Sequence, residues 1–99
     1  MKRMKISEVT ADDLRVYARE YNTDPETLMQ FEKNLKIAKA FIKSYTGLTD
    51  EQMDEHEDLV AVLLTLSNEM YDNRTFTVET DKLNPFVKTV LDMHSVNLL

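Results

Sequence analysis

The longest run of apolar positions lies in the second half of the chain and predicts a helix over Asp58–Arg74. Between Leu59 and Leu66 every residue except Thr65 is apolar, so a helix here carries apolar side chains on all sides. Such a helix has to be enclosed by protein. The run is too short to cross a membrane, which takes about 20 apolar residues. We therefore expect the central helix of a small bundle, with other helices packed around it.

A short helix is predicted near the start of the chain, over about Ala11–Glu20 and ending near Asn22. Thr10 followed by Asp13 is a variant of the capping box that begins many helices. Apolar residues then recur at helical spacing. The preceding Lys2, Arg3 and Lys5 form a small basic arm.

A long helix of about 22 residues is predicted between Pro25 and Gly47, which corresponds to about 33 Å. Thr23 or Asp24 is placed to cap it, and Pro25 suits the first helical position because its missing N–H is not needed there. Gly47 is the only glycine and stands where a left-handed C-terminal residue is favoured. A continuous apolar stripe runs along the helix: Leu28, Phe31, Leu35, Ala38, Ile42 and Tyr45.

The remaining segments complete the predicted fold. Leu48–Glu57 is an acidic connection with Thr49 placed to cap a turn of helix, and residues 75–78 alternate too briefly for an independent strand, so they are an extended arm. Asn84 and Pro85 begin a last helix of about ten residues. The apolar tail residues Val96, Leu98 and Leu99 are expected to be covered. The fold class is all-α: one domain over residues 1–99, with about four helices around a buried central helix and a short extended arm before the last helix.

Composition narrows the functional classes. The 99 residues include one glycine, two prolines and no cysteine, and the net charge is −6. The absence of cysteine excludes disulfides and thiolate metal sites. No signal-peptide or membrane-spanning pattern occurs, so we expect a soluble protein made in a cytoplasm. The acidic balance argues against a protein that grips nucleic acid over its whole surface, because that affinity rests on cations.

Candidate chemistry is sparse. His56 lies within an acidic run and His94 has only Asp92 nearby in the sequence, whereas a metal site needs three or four converging ligands. We therefore expect both histidines to be solvent-exposed. The sequence shows no framework in which a Ser or Thr nucleophile meets a His base, and a single glycine excludes phosphate-cradling loops. We predict no catalytic, metal-binding or cofactor-binding residue and no cofactor.

Two surfaces stand out as candidates for interaction. The long helix carries Lys33, Lys36, Lys39 and Lys43; the last three form a lysine ridge within a sector of about 60°, opposite much of the apolar stripe. It is either a solvated outer face or a surface that meets acidic groups, such as the acidic connection of a neighbouring copy; contact with DNA ranks third. The arm residues Arg74, Phe76 and Val78 either fold back over the bundle or reach another subunit, since arginine and aromatic residues are enriched at interfaces.

The order of these segments resembles a known family. A helix ending in Lys43-Ser44-Tyr45-Thr46-Gly47 is followed by an acidic turn and by an apolar helix running into Glu69-Met70-Tyr71-Asp72-Asn73-Arg74. A short arm then leads to Asn84-Pro85-Phe86. This arrangement resembles the small head–tail connector (adaptor) proteins of long-tailed bacteriophages, also labelled DNA-packaging proteins, over nearly the whole chain. Many members have a proline just before the apolar helix, where this chain has His56-Glu57-Asp58, so the resemblance does not fix where that helix starts.

The resemblance implies a structural subunit that is not an enzyme and that forms a ring of about a dozen copies with closed symmetry. Such a ring belongs to the neck of the virion. It docks beneath the portal protein, extends the DNA channel without sequence-specific binding, and receives the next neck or tail protein. The positions carried over as subunit or portal contacts are Tyr71, Asn73, Arg74, the arm through Phe76 and Val78, Asn84 and Phe86. The lysine ridge (Lys36, Lys39 and Lys43 above all) is added as a possible ring contact.

Two other functions are compatible with the residues. A small helical adaptor or regulatory module could bind one protein partner through the exposed apolar tail. A weak nucleic-acid binder could use Met1–Lys5 together with the lysine ridge. A closed ring would favour the connector, a monomer or dimer the adaptor, and binding that falls steeply with salt the nucleic-acid binder.

Overall fold

The computed structural model describes residues 5–22 and 24–96, and over these it confirms an all-α bundle. Two 3₁₀ turns, Ile6–Glu8 and Thr80–Lys82, accompany the helices. The helices are α1 (Ala11–Ala18), α2 (Pro25–Thr46), α3 (Asp50–Met53), α4 (Asp58–Asp72) and α5 (Pro85–His94). The described residues include no β-strand.

Helix α4 is central, as predicted, because it packs against α1, α2 and α5 and against the first 3₁₀ turn. Helices α2 and α4 run antiparallel and form the closest pair: the Asn34 amide donates to the carbonyl oxygen of Ser67 at 3.4 Å. Helices α1 and α5 each pack against both members of this pair. Their shared core comprises Leu14, Phe31, Leu35, Ala38, Ile42, Leu59, Val62, Leu63, Leu66, Met70, Val87 and Leu91.

Local signals set most helix ends. The Thr10 hydroxyl accepts from the N–H of Asp13 at 3.2 Å, and the Asp13 carboxylate accepts from the N–H of Thr10 at 2.9 Å, which completes the predicted capping box. Gly47 ends α2 with φ 76°, as expected for a left-handed C-terminal residue. The Asn84 side chain accepts from the N–H of Phe86 at 2.8 Å and starts α5.

Two details of the predicted helices were wrong. Helix α1 ends at Ala18 rather than near Glu20, because Arg19 adopts a left-handed conformation with φ 57°. Helix α4 is not enclosed on all sides: Ala61 is exposed, and Val60 and Leu64 are only half-buried. Three helices and one turn cannot surround a fourth helix completely, so one side of α4 remains open to solvent.

Some sequence predictions lie outside the described residues, namely the basic arm at Lys2 and Arg3, a cap at Thr23, and the tail residues Leu98 and Leu99. Asp24, the other candidate cap, holds the N-cap position of α2 without a side-chain hydrogen bond. Within the described ranges, no helix combines the length and the apolar character needed to cross a membrane.

Candidate interaction surfaces

The end of α4 is a tight turn built around Arg74. The N–H of Thr75 donates to the carbonyl oxygen of Met70 at 3.0 Å, and the N–H of Arg74 donates to that of Tyr71 at 3.2 Å. These two bonds form a Schellman motif, in which the left-handed residue is usually glycine. Arg74 occupies that position with φ 53°. The Arg74 side chain, a candidate contact, is exposed beside Asn73, which is also exposed.

The arm lies back along its own bundle, the first of the two arrangements considered from the sequence. Val78 and Leu83 are half-buried against the core, and Lys33 places its Nζ 4.4 Å from the centre of the Phe76 ring. Phe76 is still 40% exposed. Arg74 and Phe76 therefore remain accessible to a partner, while Val78 packs against its own chain.

A cavity of about 350 Å³ separates the arm from α4. Its apolar lining includes Leu66, Met70 and Leu83, and its polar lining includes Glu69 and Lys82. Because this cavity lies between them, the arm covers the end of α4 only partly.

Tyr71 connects three elements of its own subunit. Its hydroxyl donates to the Glu20 carboxylate at 2.7 Å, and its ring meets that of Phe31 edge to face with 4.6 Å between the centres. The N–H of Asn22 and then the Tyr71 hydroxyl lower the pKa of Glu20, and the same hydroxyl contact raises the pKa of Tyr71. This candidate contact is thus half-buried and already holds α2 and the connection between α1 and α2 against α4.

The start of α5 offers a more open surface. Phe86 is 48% exposed, while the Asn84 amide donates to the Glu69 carboxylate on α4 at 3.3 Å. The Asn84 side chain is therefore occupied within the subunit by its cap and by Glu69, whereas much of the Phe86 ring is available to a partner.

The lysine ridge is divided between intramolecular contacts and solvent. Lys43 pairs with Asp50 at 3.3 Å, and Lys39 is half-buried close enough to Asp54 to contribute to lowering the pKa of that carboxyl. The ridge thus meets the acidic connection of its own chain at one end. Lys36 is exposed, and no ion pair to it occurs within the described residues.

Asp54 ties the first 3₁₀ turn to α3. Its carboxylate accepts from the Ser7 hydroxyl at 2.8 Å and from the Ser7 N–H at 3.0 Å. These hydrogen bonds, the hydroxyl first, lower the pKa of Asp54. A comparable tie joins α2 to α5, where the Tyr45 hydroxyl donates to Asp92, which also pairs with Lys88 at 2.9 Å.

The expectation that both histidines are solvent-exposed was wrong. The His94 side chain is only 16% exposed, and its Nε2 lies 2.8 and 3.0 Å from the two carboxylate oxygens of Asp58. The His56 and His94 rings are in contact, with 4.1 Å between their centres and a tilt of 32° between their planes. The described residues contain no group of three His, Cys, Asp or Glu side chains arranged to hold a metal ion. This cluster joins the last turn of α5 to the first turn of α4.

Sequence reasoning missed the pairing of His94 with Asp58 because 36 positions separate them. One signal was available: a carboxylate favours a helix N-terminus and a histidine favours a helix C-terminus, and the two residues occupy such ends.

Comparison of the chain with protein-family models, with curated proteins and with solved structures finds no match.

Proposed function

We propose that this protein is the subunit of a ring-shaped head–tail connector of a long-tailed bacteriophage. In this role about a dozen copies form a closed ring that docks on the portal protein, extends the DNA channel and receives the next neck or tail protein. The subunit is a structural component of the virion neck and catalyses no reaction.

The observation that carries the proposal is where the resembling motifs fall in the bundle. The first motif closes α2 at Gly47, and the acidic turn contains α3. The second motif forms the end of α4 and its Schellman turn, and Asn84-Pro85-Phe86 opens α5. The resembling motifs therefore coincide with the ends of successive helices, which supports the proposal.

The charge of the chain suits a channel through which DNA passes. Affinity for the DNA backbone comes largely from cations that displace counterions, and this chain has a net charge of −6. The acidic connection also engages Lys43 of its own chain. A ring of such subunits would let DNA slide without holding it.

The exposed candidate residues lie together at one end of the bundle. Asn73, Arg74 and Phe76 lie at the end of the bundle where α4 finishes, and Phe86 begins the neighbouring helix. Together they provide an arginine and two aromatic rings, residue types that are enriched at protein interfaces. This end of the subunit is the surface that we assign to the portal or to the next subunit.

Native mass spectrometry tests the proposal directly. The purified protein is measured alone and then with the portal protein of the same virus. A closed oligomer of about a dozen subunits in either sample is the expected result. A monomer or dimer in both samples would overturn the proposal.

One observation favours a second function, an adaptor that binds a single protein partner. Met93 is 68% exposed and Val96 is 55% exposed where the described chain leaves α5. If the protein stays monomeric, this apolar end is the surface through which an adaptor would bind. Capture of one partner protein, lost on Met93→Ser with Val96→Ser, would then replace the connector proposal.

A further inference from the structure

The sides of α2 and α4 that face away from each other carry opposite charge. The α2 outer face is formed by Met29, Lys33, Lys36, Ala40 and Lys43, which follow one another at steps of four and three and are all exposed. It carries three lysines and no acid. Residues at these steps lie along one line of a helix.

The α4 outer face is formed by Glu57, Ala61, Leu64, Asn68 and Asp72. It carries two carboxylates and no base, and it includes the exposed Ala61 and the half-buried Leu64, which the other helices cover only partly. Tyr17 of α1 borders it, with 3.3 Å between its hydroxyl and that of Thr65. This face is therefore acidic at its ends and apolar in the middle.

The two outer faces lie on opposite sides of one subunit because α2 and α4 pack against each other through their buried residues. Contacts between Asn34 and Ser67 and between Phe31 and Tyr71 fill the space between the helices. Each face therefore points away from the other, and neither can reach the other within one chain. A second copy can bring them together.

We infer that the α2 outer face of one copy packs on the α4 outer face of the next copy. This inference rests on the proposed function and specifies the ring contact: lysines of α2 meet carboxylates of α4, and Ala40 packs on the partly uncovered Ala61 and Leu64. Because the two faces differ and lie on opposite sides, the contact is heterologous, the type that closes into a ring. It differs from one contact considered from the sequence, in which the lysine ridge meets the acidic connection of a neighbour. Within one subunit Lys43 already pairs with Asp50 of that connection, whereas Lys36 has no ion pair within the described residues.

Charge reversal on each face tests the inference without assuming which residues meet. One variant carries Lys36→Glu and Lys43→Glu, and a second carries Asn68→Lys and Asp72→Lys. Each alone places like charges across the contact, so its assembled fraction falls by at least about tenfold. Mixed in equal amounts, the two variants restore assembly, because the reversed face of each meets the reversed face of the other. Native mass spectrometry then finds rings with equal numbers of both.

A matched control for the variant with Lys36→Glu and Lys43→Glu is Lys82→Glu with Lys88→Glu, which changes net charge by the same amount as that variant and alters exposed lysines outside both faces. It assembles like the wild type, and circular dichroism confirms that all variants fold. Normal assembly of either reversed variant alone, or failure of the mixture to assemble, would overturn the inference while the connector proposal stands on the wild-type ring. Absence of any wild-type ring, alone or with the portal, would overturn both.

Discussion

Replacing Leu63 by aspartate should abolish the folded state. Leu63 is fully buried on α4, and truncating such a leucine to alanine alone costs about 2–5 kcal/mol. A carboxylate at this position also loses its hydration without gaining a partner, which adds several kcal/mol. The sum is comparable to the entire free energy of unfolding of a small domain, about 5–15 kcal/mol.

The assay is urea unfolding followed by circular dichroism. Ala61 provides a matched control in the same helix, because it is exposed and lies two positions from Leu63. Ala61→Asp should change the free energy of unfolding by only about 0.5 kcal/mol, and Leu63→Ala should give a folded protein that is less stable by about 2–5 kcal/mol. Leu63→Asp should show no cooperative transition.

A cooperative transition for Leu63→Asp within about 1 kcal/mol of the wild type would refute the reasoning, because a buried and unpaired charge cannot cost so little. It would mean that α4 is not the central helix of the bundle. Equal losses for Leu63→Asp and Ala61→Asp would refute the assignment of buried and open sides on α4.

Three further predictions concern single features of the fold. Ser67→Ala should raise the free energy of unfolding by about 1 kcal/mol in urea titrations, because the buried Ser67 hydroxyl has no hydrogen-bond partner among the described residues; a loss would contradict this. Arg74→Gly should also raise the free energy of unfolding by about 1 kcal/mol, because it removes a non-glycine residue from a left-handed conformation. The double variant Arg74→Glu with Phe76→Ala should keep the melting temperature of the wild type but weaken assembly in native mass spectrometry. Ser7→Ala should destabilise by up to about 1 kcal/mol at neutral pH. Because Ser7 lowers the pKa of Asp54 in the folded state, that difference should shrink as pH falls below about 4, and a pH-independent difference would refute the cause.

The helix ends were predictable because they depend on neighbouring residues. Thr10 with Asp13, Gly47, and Asn84 with Pro85 each act within a few positions, and each ends or starts a helix as expected. The exception is α1, which ends at Ala18 because Arg19 takes a conformation that sequence does not favour for arginine.

Contacts between distant residues were not predictable in the same way. The pairing of His94 with Asp58 and the contact of the Lys33 ammonium with the Phe76 ring depend on how the helices pack. The open side of α4 depends on how many helices are available to cover it, which an apolar run such as Leu59–Leu66 does not reveal. The contacts assigned to the portal and to neighbouring subunits remain predictions, since they require a second molecule.

Both ends of the described chain lie at one end of the bundle. Ser7 binds Asp54 near the first described residue, and the N–H of Val96 donates to the carbonyl oxygen of Thr46 near the last one, at 2.7 Å. In any assembly with rotational symmetry, labels fused to either terminus would therefore lie on the same side of each subunit. Electron microscopy of such a labelled ring bound to a portal would give the orientation of the subunit in the neck.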